Sequence, residues 1–203
     1  RVIDVSEDTN KLLQYLAESG VDIPDSPYIR FAVEAAEGIA SAADAAIAAG
    51  EITADQLFTD RYDPVVGTDP PLFRHPGQPL LQRAAVVWQE RARHLPGLFD
   101  LNCLDRNAFS AVALPERSQT QRPGAFDWNS EHCRAGQLFN VPHMRALALT
   151  AQPFAVRTNR RTLASGATLL LKQVVAPLMI SGRHWGIVEL TYEDPAAKAG
   201  PSS

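Results

Sequence analysis

The sequence is poor in the features that would give it a covalent scaffold, a membrane anchor or a nucleic-acid partner. Two cysteines, Cys103 and Cys133, occur in 203 residues. That is too few for a disulfide framework and suits a reducing compartment, so a cytoplasmic location is expected. No apolar run approaches the roughly 20 residues that a membrane-spanning helix needs, and no membrane contact is expected. An excess of positive charge is also missing. The net charge is −4, where a nucleic-acid partner would call for clustered Lys and Arg. There is no Gly-x-Ser-x-Gly, P-loop or dinucleotide glycine fingerprint, so nothing points to an enzyme. Nor is there a Cys-x-x-Cys or His-x-x-x-His pair, so no metal site is expected. The first residue is Arg1 rather than Met, and a piece excised from something larger is expected.

What is present is a foldable chain with 45% apolar residues. The first half reads helical. Ser6 caps an expected helix that stops at Gly20. A second starts with Ser26 as cap and Pro27 at its first position, and ends at Gly50. Ile29, Val33, Ala36, Ala40, Ala43 and Ile47 fall on one face of it, and its alanines make a thin stripe that lets a partner helix approach. Self-association through that stripe, giving a homodimer, is expected. Thr53 and Gln56 make a capping box, with Ile52 and Leu57 as the hydrophobic staple. Residues 60–80, with five prolines and two glycines, read as a long ordered or semi-ordered connection. Helix returns in "LLQRAAVVWQERARHL", with Leu81, Ala84, Ala85, Trp88 and Leu95 on one face, and Pro96-Gly97 stops it.

The periodicity then changes. "LFDLNCLD" and "AFSAVAL" read as strands joined by Asp105-Arg106-Asn107, where Asp105 serves turn chemistry. Short helices follow around "NSEHCRAGQLF" and from Pro142. Strands resume in "FAVRTNR", "ATLLLKQVVAPLMI" and "HWGIVELTYE". The last two form a hairpin through Ser181-Gly182-Arg183. Both are apolar on both faces, so both faces of the sheet need a cover, one from the short helices and one from the N-terminal helices. The expected fold is α+β. Residues 1–97 form a helical region with a Pro-rich connection, 98–193 a five-stranded antiparallel core, and 194–203 a disordered tail.

Several stretches carry a resemblance: "GVDIPDSPYI", "AAGEITADQLFTDRYDPVVGTDPP", "CLDRNAF", "NSEHCRAGQLFN", "TAQPFAVRTNRR" and "VVAPLMISGRHWGIVELTY". The most weight rests on Pro177, an apolar run, then Gly182-Arg183-His184-Trp185-Gly186. In this order and spacing the chain resembles a PAS/Cache-like cytoplasmic sensor domain of bacterial methyl-accepting chemotaxis proteins. The resemblance implies signal transduction, with a small-molecule ligand, a homodimer, and attached signalling helices as partners. It also implies alternatives, a haem or redox sensor with His132 or His143 as axial ligand, or a ligand-free dimerisation module. There are departures. The family tends to carry Pro-Thr-His-Asn after the Asp-Arg-Asn turn, where this chain reads "AFSAVALPERS". It also tends to carry Tyr-Arg-Arg-Asp where this chain has Arg157 to Arg161.

The expected pocket lies between the sheet and the helices of residues 129–148. Arg157 and Lys172 fall within apolar strands, where a charge needs a partner. Arg134 sits on the expected roof, and a guanidinium fork matches a carboxylate. Two arginines aimed into one cavity predict an organic acid as ligand, with Asn129 and Lys172 adding hydrogen bonds and Trp185 as a wall. Each cation taken singly also reads as a snorkelling surface side chain, and Trp185 also reads as core. No cofactor is expected outside the haem alternative.

Overall fold

A computed structural model describes residues 11–194 of the chain, except 13, 17, 18 and 164. The expected first helix falls partly outside these residues, its Ser6 cap included. Residues 11, 12 and 14–16 are helical. Apart from Asp194, the expected disordered tail also lies outside the described residues.

The fold is α+β. Helix α1 spans Ser26–Ala48 and α2 Ala54–Leu57. Asp25, not Ser26, is the N-cap residue of α1, because Ser26 Oγ turns back to accept from the Ile23 backbone N–H at 2.9 Å. Much of the alanine stripe, Ala36, Ala40 and Ala43 included, is covered from within the chain. Ala32, Ala35 and Ala43 are fully buried within the chain, where α1 packs on the sheet and on helix α3 (Gln78–Ala92). Small side chains let the elements of one chain approach, while Val33 and Ile47 of the expected face stay partly exposed. The approach is closest at Gly38, where a Cβ would lie 2.2 Å from Trp88 Cζ2.

The capping box ahead of α2 is present. Thr53 Oγ1 accepts from Gln56 N at 3.2 Å, and Gln56 Oε1 accepts from Thr53 N at 2.9 Å. Its staple residues Ile52 and Leu57 both enter the core. Replacing Thr53 with alanine should cost about 1 kcal/mol, read as a lowered urea midpoint with an unchanged slope. The proline-rich connection is more structured than expected. It folds as a two-stranded hairpin of β1 (Asp63–Val65) and β2 (Leu72–Arg74).

The main sheet comprises β3 (Leu98–Asp105), β4 (Ser110–Val112), β5 (Ala155–Thr162), β6 (Thr168–Ile180) and β7 (Arg183–Glu193). All pairings are antiparallel, in the order β4-β3-β7-β6-β5. Two short helices, α4 (Phe126–His132) and α5 (Pro142–Ala148), are inserted between β4 and β5. The β6–β7 turn places Ser181 and Gly182 at φ 51° and 69°, the conformation a two-residue hairpin favours. Asp44 of α1 holds that turn, accepting from Ser181 N at 2.8 Å and Ser181 Oγ at 2.7 Å.

Alternation along the strands gives the sheet two different faces. One face, with Leu101, Cys103, Val156, Val174, Ala176, Leu190 and Tyr192, joins the main core with α1 and α3. The other carries a smaller apolar cluster of Leu104, Val175 and Ile187 under Leu147 of α5. Between Leu178 and Met179 the register slips, leaving Trp185 as the extra residue on β7. That bulge turns Trp185 towards the α1 side, away from the face shared by Ile187 and Glu189.

Candidate functional site

Beside the smaller apolar cluster, the sheet face becomes polar. Asp100 pairs with Thr191, Thr191 with Gln173, and Gln173 with Arg157, so one row crosses four strands. Three strand spacings separate its ends, about 14 Å. The next row places Asn102 beside Glu189. Met144 and Leu147 of α5, with Phe99 and Leu171 of the sheet, add apolar walls. Together these elements line a partly open cavity of about 380 Å³, within the usual range for small-molecule sites.

The charge in this cavity runs against that of the chain. Arg134, Arg157 and Arg161 line the cavity with two carboxylates, Asp100 and Glu189, while Arg160, also there, is exposed and one residue out of step with Arg157 and Arg161. Arg134 follows α4, and its backbone N–H donates to Arg117 O at 2.7 Å. Its side chain is 13% exposed and lies 4.6 Å from the Phe139 ring centroid. Its Nε stands 3.6 Å from Asp100 Oδ2, an ion pair too long for a hydrogen bond, and this buried N–H has no hydrogen-bond partner. Arg117 stacks on Phe99 at 3.6 Å, and Arg161 approaches the same ring at 5.2 Å. Burial, reinforced by Arg134 and Arg117, pushes the Arg161 guanidinium down to about 10. Asn159 Oδ1, also at the cavity, is a buried acceptor without a donor. An uncommitted donor and an uncommitted acceptor thus line one space.

The two carboxylates differ. Asp100 Oδ1 accepts from the backbone N–H of Leu101 at 2.9 Å and of Leu114 at 3.1 Å. Burial pushes its carboxyl above the usual range, while Arg134, Arg117 and those N–H groups oppose the rise. Glu189 is 2% exposed. Its Oε1 accepts from Gln173 Nε2 at 2.6 Å, and the nearest donor to Oε2 is Asn102 Nδ2 at 3.4 Å. Burial pushes the Glu189 carboxyl up as well.

The structure brings Arg134 and Arg157 to one cavity and puts the other expected ligand residues elsewhere. Asn129 is occupied by backbone. Its Oδ1 accepts from Arg122 N at 2.8 Å, and its Nδ2 donates to Asp69 O at 2.8 Å and Arg122 O at 2.9 Å. Lys172 lies on the opposite face of the sheet, where Nζ meets both carboxylate oxygens of Asp25 at 3.0 and 3.1 Å. Trp185 is also on that face, 2% exposed, its indole N–H donating to Leu57 O at 3.0 Å. Of the histidines, His143 lines the cavity. His132 does not, since its ring stacks on Trp128 at 4.5 Å with Nδ1 3.0 Å from Trp128 O. Asp105 is turn-bound as expected, accepting from the N–H groups of Asn107 and Phe109 at 2.8 Å each.

Phe99, Asp100, Arg161, Gln173 and Glu189 were missed in the sequence. A signal existed for two of them. Gln173 and Glu189 are polar residues whose apolar neighbours point the other way.

Among the described residues, no group of three or more His, Cys, Asp or Glu side chains is placed to hold a metal ion, and no helix is long and apolar enough to cross a membrane. Comparison with family models and with curated proteins finds no match to this chain.

Proposed function

We propose that this chain is a ligand-sensing domain that binds an organic acid and passes a conformational bias to attached signalling helices. It would be a PAS/Cache-like module of a bacterial chemotaxis-type receptor, working in the cytoplasm as a homodimer. The helices inserted after the second strand of the main sheet, with a cavity beneath the second of them, support the fold reading. The observation that carries the ligand class is Arg134, whose buried Nε–H faces this cavity without a hydrogen-bond partner among arginines that outnumber the carboxylates. An anion relieves both the unmet donor and the mutual repulsion of the guanidiniums.

The test is a thermal-shift screen of acetate, lactate, succinate and α-amino acids on the wild type, Arg134→Ala and Arg157→Ala. At a hundredfold excess over Kd, a ligand should stabilise the wild type by about 2.7 kcal/mol. Each arginine contributes charge-assisted bonds of roughly 1.5–3 kcal/mol, so each variant should bind about ten- to a hundredfold more weakly. Acids that stabilise all three proteins equally would remove both arginines from the site.

A further inference from the structure

Glu189 is a buried carboxylate that the anion reading leaves without a role. It stands on β7 at the floor of the cavity, 2% exposed. Among the described residues no Lys, Arg or His nitrogen comes within ion-pairing distance of it, whereas Asp100 has Arg134 at 3.6 Å and Arg117 at 3.9 Å. The donors to Glu189 are two neutral carboxamides. One of these, Asn102 Nδ2, stands 3.4 Å from Glu189 Oε2 and 3.4 Å from Asp100 Oδ2, a long contact to each. Oε2 is thus the oxygen left for a partner in the cavity.

A cavity that already holds a buried carboxylate is a poor host for a second anion, unless a proton comes with it. We propose that the site binds its organic anion together with one proton, held between the ligand carboxylate and Glu189 Oε2. Glu189 then donates to the ligand, while the arginines take the ligand's negative charge. The inference rests on the organic-acid reading above and makes Glu189 a ligand-contacting residue.

The charged and titratable groups around the cavity set which residue takes the proton. Burial pushes the Asp100 carboxyl on β3 up, and Arg134, Arg117 and two backbone N–H groups oppose that rise. Burial and the Asp100 charge raise the proton affinity of Glu189 in the empty site, Arg134 and Arg161 lower it, and His143 lies on α5. An entering anion neutralises the positive field of the arginines and adds a like charge, so the proton affinity of Glu189 rises on binding. By linkage, a proton on Glu189 raises the affinity for the anion by the same factor. Where Glu189 is ionised in the empty site, affinity therefore falls as pH rises, by up to about tenfold per pH unit for one linked proton.

The experiment is calorimetric titration of succinate and of lactate into the whole chain, between about pH 5 and about pH 8, the range in which a buried carboxyl releases its proton. Buffers of different ionisation heat report the protons taken up. The expected result is close to one proton per bound anion and a Kd that climbs with pH. Glu189→Gln should bind without uptake, with a flat pH profile, and more tightly than the wild type at the alkaline end, since its amide N–H replaces the carried proton. Binding of either acid with no uptake and a flat profile in the wild type overturns the proposal and leaves the organic-acid reading intact. Uptake that persists in Glu189→Gln moves the proton to Asp100 or His143 and overturns the assignment. No binding of these acids at either end of the range removes both readings. The buffer comparison uses the wild type alone, so it stands even if the variant folds poorly.

Discussion

Replacing Trp185 with alanine is expected to cost about 3–5 kcal/mol of stability, the usual range for deleting a large aromatic from a packed core. In a chain of this size that corresponds to a fall in Tm on the order of 10 °C. Two features set the magnitude. The indole is 2% exposed within the core shared by α1, α3 and the sheet, so its removal leaves a void that surrounding backbone can only partly close. Its N–H also donates to Leu57 O across 128 residues of sequence, so the variant leaves a carbonyl at the end of α2 unmet. Trp185→Phe should recover most of the packing but not the hydrogen bond. Thermal and urea denaturation followed by circular dichroism measures both, and near-wild-type stability in Trp185→Ala would contradict a core role.

Breaking the ion pair between Asp25 and Lys172 should have an effect of similar size. Asp25 is 1% exposed and takes both Lys172 Nζ, at 3.0 Å, and Tyr192 Oη, at 2.6 Å. Tyr28, one turn into α1, stacks on Tyr192 with ring centroids 3.6 Å apart. Burial, with Asp25 beside it, pushes the Tyr192 hydroxyl well above its ordinary range, so it stays a donor at any working pH. Lys172→Met leaves a buried carboxylate with a hydroxyl as its main partner, and about 3–5 kcal/mol is the expected loss. Asp25→Ala should cost less, because Asp194 remains 3.5 Å from the ammonium. The double variant should be more stable than the sum of the single losses predicts, since it leaves no buried charge unpaired. Additive losses in a double-mutant cycle would mean that the two groups do not act as a pair.

Lys172 and Arg157 look alike in the sequence, since each is a cation within an apolar strand. Strand parity separates them. Arg157 pairs with Gln173 and shares its face with the cavity, whereas Lys172 is one residue out of step. Nothing local to Lys172 announces a carboxylate 147 positions earlier in the chain. Trp185 was hidden for a different reason. Simple alternation from Glu189 and Ile187 puts it on the cavity face, and only the bulge moves it across. The elements themselves were easier to read. The apolar runs of β6 and β7 and the periodicity of α1 and α3 are carried by many residues each, and the capping box by two adjacent side chains. The β1–β2 hairpin was not read, because prolines at 64, 70 and 71 resemble an irregular connection. Alanines gave the right stripe on α1 but not what covers it, since a thin helix face packs equally well on a sheet or on another chain.

The two faces of β6 and β7 also bear on how such a chain can change over generations. Gln173, Glu189 and Thr191 meet the cavity, while the residues between them, Lys172, Val174, Leu190 and Tyr192, hold the sheet to the helices. Each strand is thus two interleaved sets of positions under separate selection. A drift in what the cavity accepts can run through one set without a matching repair in the other. Only an insertion or deletion within the strand exchanges the two sets, so single-residue indels there should be purged far more strongly than substitutions at 173, 189 or 191.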